Sequence, residues 1–169
     1  MRRGFMTKPW PKAHKVFNAT FGSVFRPGPS HDEQPPHIFE DMYHNELNTV
    51  VFTPDVIEKK LLSLKSHSAP GPDGIHPRIL KSCASSLKEP LSFVFEESMR
   101  SGRLPQDWKC TNITPIFKGG RKTAATNYKP INLCSVIAKT MESIVKDEII
   151  RHLTENELIL PSQHGFLLL

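Results

Sequence analysis

Residues Arg100–Leu133 read RSGRLPQDWKCTNITPIFKGGRKTAATNYKPINL, and this stretch predicts the element around which the rest of the chain is organised. Two runs compatible with β-structure, Thr111–Lys118 and Asn127–Leu133, flank the loop sequence GGRKTAAT. Gly119 and Gly120 allow the unusual backbone dihedrals that a tight turn requires. We therefore expect a short antiparallel β-hairpin.

Two prolines indicate where this hairpin can lie. Pro115 and Pro130 fall inside the two predicted strands and have no backbone N–H. Because a proline in the middle of a sheet removes a ladder hydrogen bond, it is confined to edges and bulges. The pattern predicts an exposed ribbon.

The positive charge of the chain is concentrated in the same stretch. Between Arg100 and Lys129 there are seven lysines and arginines and one acid, so this window carries +6, whereas the whole chain carries +5. An exposed basic ribbon is suited to binding phosphates, although a charged hairpin tip alone is more often a solvated turn. The charged residues are Arg100, Arg103, Lys109, Lys118, Arg121, Lys122 and Lys129, with Asp107 as the acid.

A helix is predicted to start at Thr53. This residue supplies an N-cap oxygen, Pro54 fits the first turn, and Asp55 is an acid at the positive end of the helix dipole. Apolar residues recur at helical spacing as far as Leu64. The sequence PGPDG that follows predicts a tight turn in which Asp73 has a turn-forming role.

A second helical stretch is predicted to begin at Pro77 and to end at Gly102, which is placed as a C-terminal cap. Pro90 deletes a backbone hydrogen bond, so we expect two helices that meet near Lys88. Trp108 is expected to anchor the turn into the hairpin by packing. The expected core residues of this stretch are Leu80, Ala84, Leu87, Leu91, Val94, Phe95 and Met99.

Helices are also predicted at the two ends of the chain. Near the N-terminus, AHKVFNATFGSVF places phenylalanines and valines near helical spacing. After the hairpin, Ser135 can cap a helix from Val136 to about Asn156. Its expected inward-facing residues are Ile137, Met141, Ile144, Val145, Ile149 and Leu153.

The expected fold class is α+β, mostly helical with one short antiparallel hairpin. The segment Arg26–His37 contains four prolines and no periodicity, which is typical of a linker. We expect residues 1–45 to form a partly disordered arm and residues 46–169 to form one domain.

Composition excludes several other classes. The three cysteines stand far apart and form no C-x-x-C pair, so neither a disulfide framework nor a zinc site is predicted. No apolar run approaches the ~20 residues needed to span a bilayer. We expect an intracellular, soluble protein with no membrane partner.

Five ordered motifs give the chain a resemblance to the reverse transcriptases of non-LTR (LINE, jockey-like) retrotransposons. They cover roughly Thr53–Phe166, which the resemblance makes the fingers and the start of the palm of a truncated polymerase domain. The motifs are APGPDGIHPRILK (69–81), GRLPQDWK (102–109), TNITPIFKGG (111–120), NYKPINLCSVIAKTMESIV (127–145) and LPSQHGF (160–166).

The resemblance implies roles for individual residues in binding a template-primer of RNA or DNA and a deoxynucleoside triphosphate. Lys118 matches the fingers lysine that faces the triphosphate, and Lys129 stands where the family usually has arginine in NYRP. This departure replaces a planar guanidinium fork with a point charge. The residues expected to contact nucleic acid are Arg121, Lys122, Gln163 and Phe166.

The resemblance also implies Mg²⁺ chemistry for which this sequence has no matching acids. The family holds two Mg²⁺ ions with aspartates that come after the QHGF-type motif, since hard cations need carboxylate ligands. The chain ends three residues beyond Phe166. We expect no catalytic residue, no metal site and no polymerase activity in this polypeptide. Its six aspartates are Asp32, Asp41, Asp55, Asp73, Asp107 and Asp147.

Three interpretations remain open from the sequence. The first is an inactive fragment of an RNA-directed DNA polymerase, a family of nucleotidyltransferases. The second is a basic module that binds nucleic acid without catalysis. The third is a structural role in which another protein covers the exposed apolar faces.

Overall fold

The computed structural model describes residues 13–24, 46–47 and 49–159 of the chain. These residues form five α-helices and a two-stranded antiparallel sheet, which confirms the predicted α+β class. Short 3₁₀ turns lie at Gln106–Lys109 and Ala125–Asn127. The elements are α1 Ala13–Gly22, α2 Pro54–Leu62, α3 Pro77–Ser82, α4 Ala84–Ser101, β1 Thr111–Phe117, β2 Tyr128–Cys134 and α5 Val136–Glu155.

The described residues belong to two compact units. Unit 1 lies within Met1–His37 and Ile113–Asn132, and unit 2 lies within Ile38–Asn112 and Leu133–Leu169. The predicted linker at Arg26–His37 lies outside the described residues. The predicted domain boundary after residue 45 adjoins residues that are not described, so it stays a prediction.

The hairpin has a register that three contacts define. The Lys118 N–H donates to the Asn127 carbonyl at 2.8 Å, and the Phe117 and Tyr128 rings lie 5.3 Å apart. At the other end, the Cys134 thiol contacts the Thr111 hydroxyl at 3.5 Å. The predicted strands are therefore confirmed to within one residue at each end.

This register explains how the ribbon tolerates two prolines. Counting back from Lys118 and Asn127, Pro115 faces Pro130 in a pair that exchanges no ladder hydrogen bond. The missing N–H groups belong to the outer edges of the ribbon, so the prolines cost no internal bond. They also remove donors with which another strand could pair.

Helix α1 packs against one face of the hairpin within unit 1. The Phe17 ring stacks on Phe21 at 5.7 Å and meets Tyr128 edge-on at 4.9 Å. This contact confirms a helix for Ala13–Gly22 with a partner surface for its phenylalanines. Val16 and Val24 of the predicted apolar pattern are exposed, and Phe25 lies outside the described residues.

Unit 2 is built around an apolar core between α2, α3, α4 and α5. Phe95 is at its centre, with ring centroids 5.5 Å from Phe52 and 5.8 Å from Trp108, which confirms Trp108 as a packing residue. The Ser92 hydroxyl of α4 donates to the Phe52 carbonyl at 2.6 Å and so links α4 to the segment that precedes α2. The buried apolar cluster is Phe52, Ile57, Leu61, Leu80, Ala84, Leu91, Phe95, Val136, Met141 and Ile144.

Helix ends follow the predicted capping residues. The Thr53 hydroxyl accepts from the Val56 N–H, and Pro54 is the first residue of α2. The Ser135 hydroxyl accepts from the Ala138 N–H at the start of α5. Gly102 ends α4 with φ of 64°, in the left-handed region that favours glycine.

The predicted helix division near Lys88 is wrong. The break lies at Cys83, between α3 and α4, and Pro90 is inside α4. Pro90 and Ser86, whose carbonyl loses its partner, are both exposed. Water can therefore satisfy that carbonyl, so the proline does not end the helix.

The prediction is also wrong for two residues that were expected in the core. Met99 is 46% exposed and Ile149 is 41% exposed, although both continue an apolar pattern at helical spacing. Each lies toward the end of its helix, beyond the part that packs on the apolar cluster. Periodicity predicts which face is apolar, whereas tertiary packing decides how far along the helix that face is covered.

Candidate nucleic-acid interface

The loop of the hairpin is held by side-chain hydrogen bonds to its own carbonyl groups. The Asn127 amide donates to the Arg121 carbonyl at 3.0 Å, and the Tyr128 hydroxyl donates to the Lys122 carbonyl at 3.0 Å. Gly119 and Gly120 have φ of 136° and 87°, so this turn requires glycine. The loop is therefore an ordered platform for its cations.

Four exposed cations lie on this hairpin. Within the part of the chain that the structure describes, none of them has an acidic group within 4 Å. The Lys122 ammonium lies 6.0 Å from the centroid of the Phe117 ring, at the outer limit of a cation–π contact. The cations are Lys118, Arg121, Lys122 and Lys129.

Strand register brings Lys118 and Lys129 to the same face of the ribbon. Lys118 faces Asn127, and side chains two residues apart on a strand share a face, so Lys129 is a diagonal neighbour of Lys118. Such neighbours lie about 7–8 Å apart. Phe117 and Tyr128 occupy the opposite face, where Phe17 of α1 contacts the Tyr128 ring.

The hairpin therefore has two chemically different faces. On the aromatic face Tyr128 packs against Phe17 of α1, and the other face presents the ammonium groups of Lys118, directly after β1, and Lys129, in β2. Lys129 belongs to β2, and Lys118 directly follows β1 with its N–H bonded to the Asn127 carbonyl, so these two residues are better positioned than the cations of the loop. Arg121 and Lys122 add positive charge from the loop, and the Lys122 ammonium lies near the Phe117 ring of the aromatic face. We define these four cations as the hairpin cation surface.

Two residues that order this surface were missed by sequence reasoning. Asn127 was treated as the first residue of a strand, and no role was assigned to Tyr128. A signal was present, because asparagine is frequent where a side chain bonds a nearby turn carbonyl. The expected nucleic-acid contacts Gln163 and Phe166 lie outside the described residues.

Three of the four aspartates in the described ranges make side-chain contacts within the fold. Asp73 accepts from the Ile75 N–H at 3.1 Å, which confirms its turn-forming role. Asp147 pairs with Lys60 of α2, and Asp55 lies 3.7 Å from Lys88. Among the described residues no cluster of three or more His, Cys, Asp or Glu could hold a metal.

Comparison with known proteins places the chain beside polymerases of mobile elements. No family model matches it. Its homologues are RNA-directed DNA polymerases of non-LTR retrotransposons, which confirms the resemblance. The matches cover 51–75% of this chain at 23–33% identity.

Three relatives from Drosophila melanogaster illustrate the similarity. A 115 kDa protein attributed to the type-1 retrotransposable element R1DM is 33% identical over 51% of this chain and 9% of its own length. An RNA-directed DNA polymerase attributed to transposon BS is 26% identical over 65% and 12%. The RNA-directed DNA polymerase from mobile element jockey is 24% identical over 75% and 14%.

The chain thus spans roughly a tenth of the length of these relatives. In the described ranges, every helix is too short or too polar to span a bilayer.

Proposed function

We propose that the hairpin cation surface binds the phosphate groups of a nucleic-acid template-primer and of an incoming deoxynucleoside triphosphate. The observation that carries this proposal is the pairing of Lys118 and Lys129 on the uncovered face of an ordered ribbon. The similarity to RNA-directed DNA polymerases supports a nucleic-acid partner. In this role the segment corresponds to the fingers of a polymerase, which bind its substrates.

The two lysines act as point charges. An ammonium group attracts phosphate oxygens strongly but does not impose the planar, two-bond geometry of a guanidinium. Binding through Lys118 and Lys129 is therefore sensitive to salt and tolerant of sequence. Phosphate contacts carry no base information, so specificity must come from elsewhere.

We further propose that the 169-residue polypeptide binds nucleic acid without synthesising it. Nucleotidyl transfer needs a metal pair held by neighbouring carboxylates. The sequence has six aspartates, none adjacent to another and none after Asp147. The binding step and the chemical step are thus separable in this chain.

The test is salt-dependent binding of a single-stranded RNA, followed by fluorescence anisotropy. Removing two phosphate contacts in the variant Lys118→Ala/Lys129→Ala is expected to reduce the slope of log K against log salt by about 1.4. A matched control, Lys59→Ala/Arg78→Ala, removes two exposed cations from helices of unit 2.

The control should keep the wild-type slope. Equal loss in both variants would mean that binding follows net charge and not the ribbon, which contradicts the proposal. Competition between a deoxynucleoside triphosphate and the RNA distinguishes a polymerase-like function from general nucleic-acid binding. Only the polymerase-like function requires a triphosphate site on the same face.

A further inference from the structure

A second basic feature lies within unit 2, between the end of α2 and the first turns of α5. It is a cleft of about 210 Å³ whose wall includes Lys60, Lys65 and Lys139. No acidic residue lines it. We call it the lysine cleft.

The lysine cleft contains donors without acceptors. Within the described ranges, the side-chain ammonium groups of Lys65 and Lys139 have no ion pair and no hydrogen bond to another side chain or to a backbone carbonyl. Both are exposed. The hydroxyl of Ser68, in the same wall, likewise has no hydrogen-bond partner there. These groups are free to donate to a ligand.

The third lysine is fixed in position by its contacts. The Lys60 ammonium donates to the Ser143 hydroxyl oxygen at 2.9 Å and pairs with Asp147. Because Ser143 uses its oxygen as an acceptor, its own O–H remains available to donate into the cleft. Ser143 lines the cleft, so its hydroxyl adds a further donor to the wall.

The wall around these donors is largely apolar. Leu64, Pro77 and Val136 contribute to it, and Val136 is buried in the core of the unit. A concave surface that carries one sign of charge against low-dielectric walls concentrates the field on a bound counter-ion. Like charges so arranged are stabilised when an anion lies among them.

We infer that the lysine cleft is a phosphate-binding site, separate from the hairpin cation surface. A phosphate group offers several acceptor oxygens and a charge that matches two free ammonium groups. It can come from the backbone of a nucleic acid or from a free phosphate, and both would use the same donors. The inference does not depend on the hairpin, since its residues all belong to unit 2.

The first arm of the test uses inorganic phosphate with the 169-residue chain. Phosphate at about 10 mM, compared with chloride at equal ionic strength, is expected to raise the unfolding temperature of the wild type by on the order of 2–4 °C. The variant Lys65→Ala/Lys139→Ala should lose this rise. Lys59→Ala/Arg78→Ala, which changes exposed cations outside the cleft, should keep it.

The second arm uses a single-stranded oligonucleotide and distinguishes the source of the phosphate. If a backbone phosphate occupies the cleft, the cleft variant reduces the salt slope by about 1.4. If that slope is unchanged while the phosphate effect is lost, the ligand is a free phosphate, and the site is still supported. Wild-type behaviour of the cleft variant in both arms overturns the inference.

Folding of the variants is checked independently. Circular dichroism and the unfolding temperature in chloride should match the wild type, since both side chains are exposed. Lys65→Gln/Lys139→Gln, which removes the charges but keeps part of the aliphatic stems and a polar end, must give the same result as the alanine variant. A phosphate effect that survives in the glutamine variant would contradict a role for the charges.

Discussion

Gly71 occupies a place where the backbones of two segments nearly touch. A Cβ atom added there would lie 2.6 Å from the carbonyl carbon and oxygen of Cys134 and from the nitrogen of Ser135. Those atoms belong to the junction between β2 and α5, which cannot yield as a flexible side chain would. The glycine is required for space, not for its dihedral angles.

Gly71→Ala is therefore expected to lower the free energy of unfolding by about 1–3 kcal/mol, the usual range for overpacking. Urea denaturation measures this difference. The matched control is Gly22→Ala, where nothing lies within 4 Å of the added carbon, so the change should stay within about 1 kcal/mol. Equal stability of the two variants would show that the backbones can move apart.

Lys129 is the residue at which this chain departs from the arginine of the resembled family. A guanidinium at this exposed strand position can form two parallel bonds to phosphate oxygens, whereas an ammonium cannot. Lys129→Arg is expected to tighten triphosphate binding by up to about 1 kcal/mol, roughly fivefold. Binding of a fluorescent deoxynucleoside triphosphate measures it.

Lys59→Arg, on an exposed face of α2, is the control and should leave that affinity unchanged. Weaker binding by Lys129→Arg would mean that the ammonium is selected for its compact size. An unchanged affinity would place the triphosphate away from β2.

At the scale of elements, what the sequence predicted well was local. The caps Thr53, Ser135 and Gly102 act through neighbours in the chain, and the hairpin depends on adjacent strands and a glycine turn. The helix division near Lys88 failed because the cost of Pro90 depends on whether water reaches the freed carbonyl. That is a property of the folded surface.

The helices α2 and α5 are linked by a charge pair whose strength should depend on pH. The hydrogen bond and charge of Lys60 lower the pKa of Asp147. A carboxyl whose folded pKa is depressed stabilises the fold above its unfolded pKa, and this contribution is lost as the pH falls through the folded value. Asp147 is 48% exposed, so salt should weaken the effect.

Asp147→Asn is therefore expected to be less stable than the wild type at neutral pH, with the difference fading below the ordinary aspartate value of about 3.9. Thermal unfolding at low salt, from neutral pH to about pH 3, measures it. Glu142→Gln is the control, because this exposed residue of α5 has no ion pair in the described chain. A difference that persists in acid would point to packing and not to charge.

At the scale of the molecule, the two basic sites differ in how visible they are in the sequence. The hairpin cation surface lies within one short stretch of sequence, in which both its motif and its positive charge can be recognised. Lys65 and Lys139 of the lysine cleft are far apart in the chain, and only the packing of α2 and α5 brings them together. When folding brings charged residues together from distant parts of the chain, no local sequence pattern predicts the site.

The 169-residue polypeptide should bind primer-template without extending it. Metal ions supply several kcal/mol of transition-state stabilisation in phosphoryl transfer, and each ~1.4 kcal/mol is a factor of ten in rate. The described aspartates are separated in the sequence, and the carboxylates of Asp55, Asp73 and Asp147 make contacts within the fold. Losing the metals should therefore reduce any rate by on the order of 10³-fold or more.

Primer extension with Mg²⁺ measures this, with an active polymerase in the same mixture as the positive control. Binding of the primer-template is followed in parallel, so an inactive but bound chain is distinguished from an unbound one. Template-dependent incorporation that disappears in Lys118→Ala/Lys129→Ala would contradict the prediction. It would require carboxylates from residues outside the described ranges, or an activity that needs no acid pair.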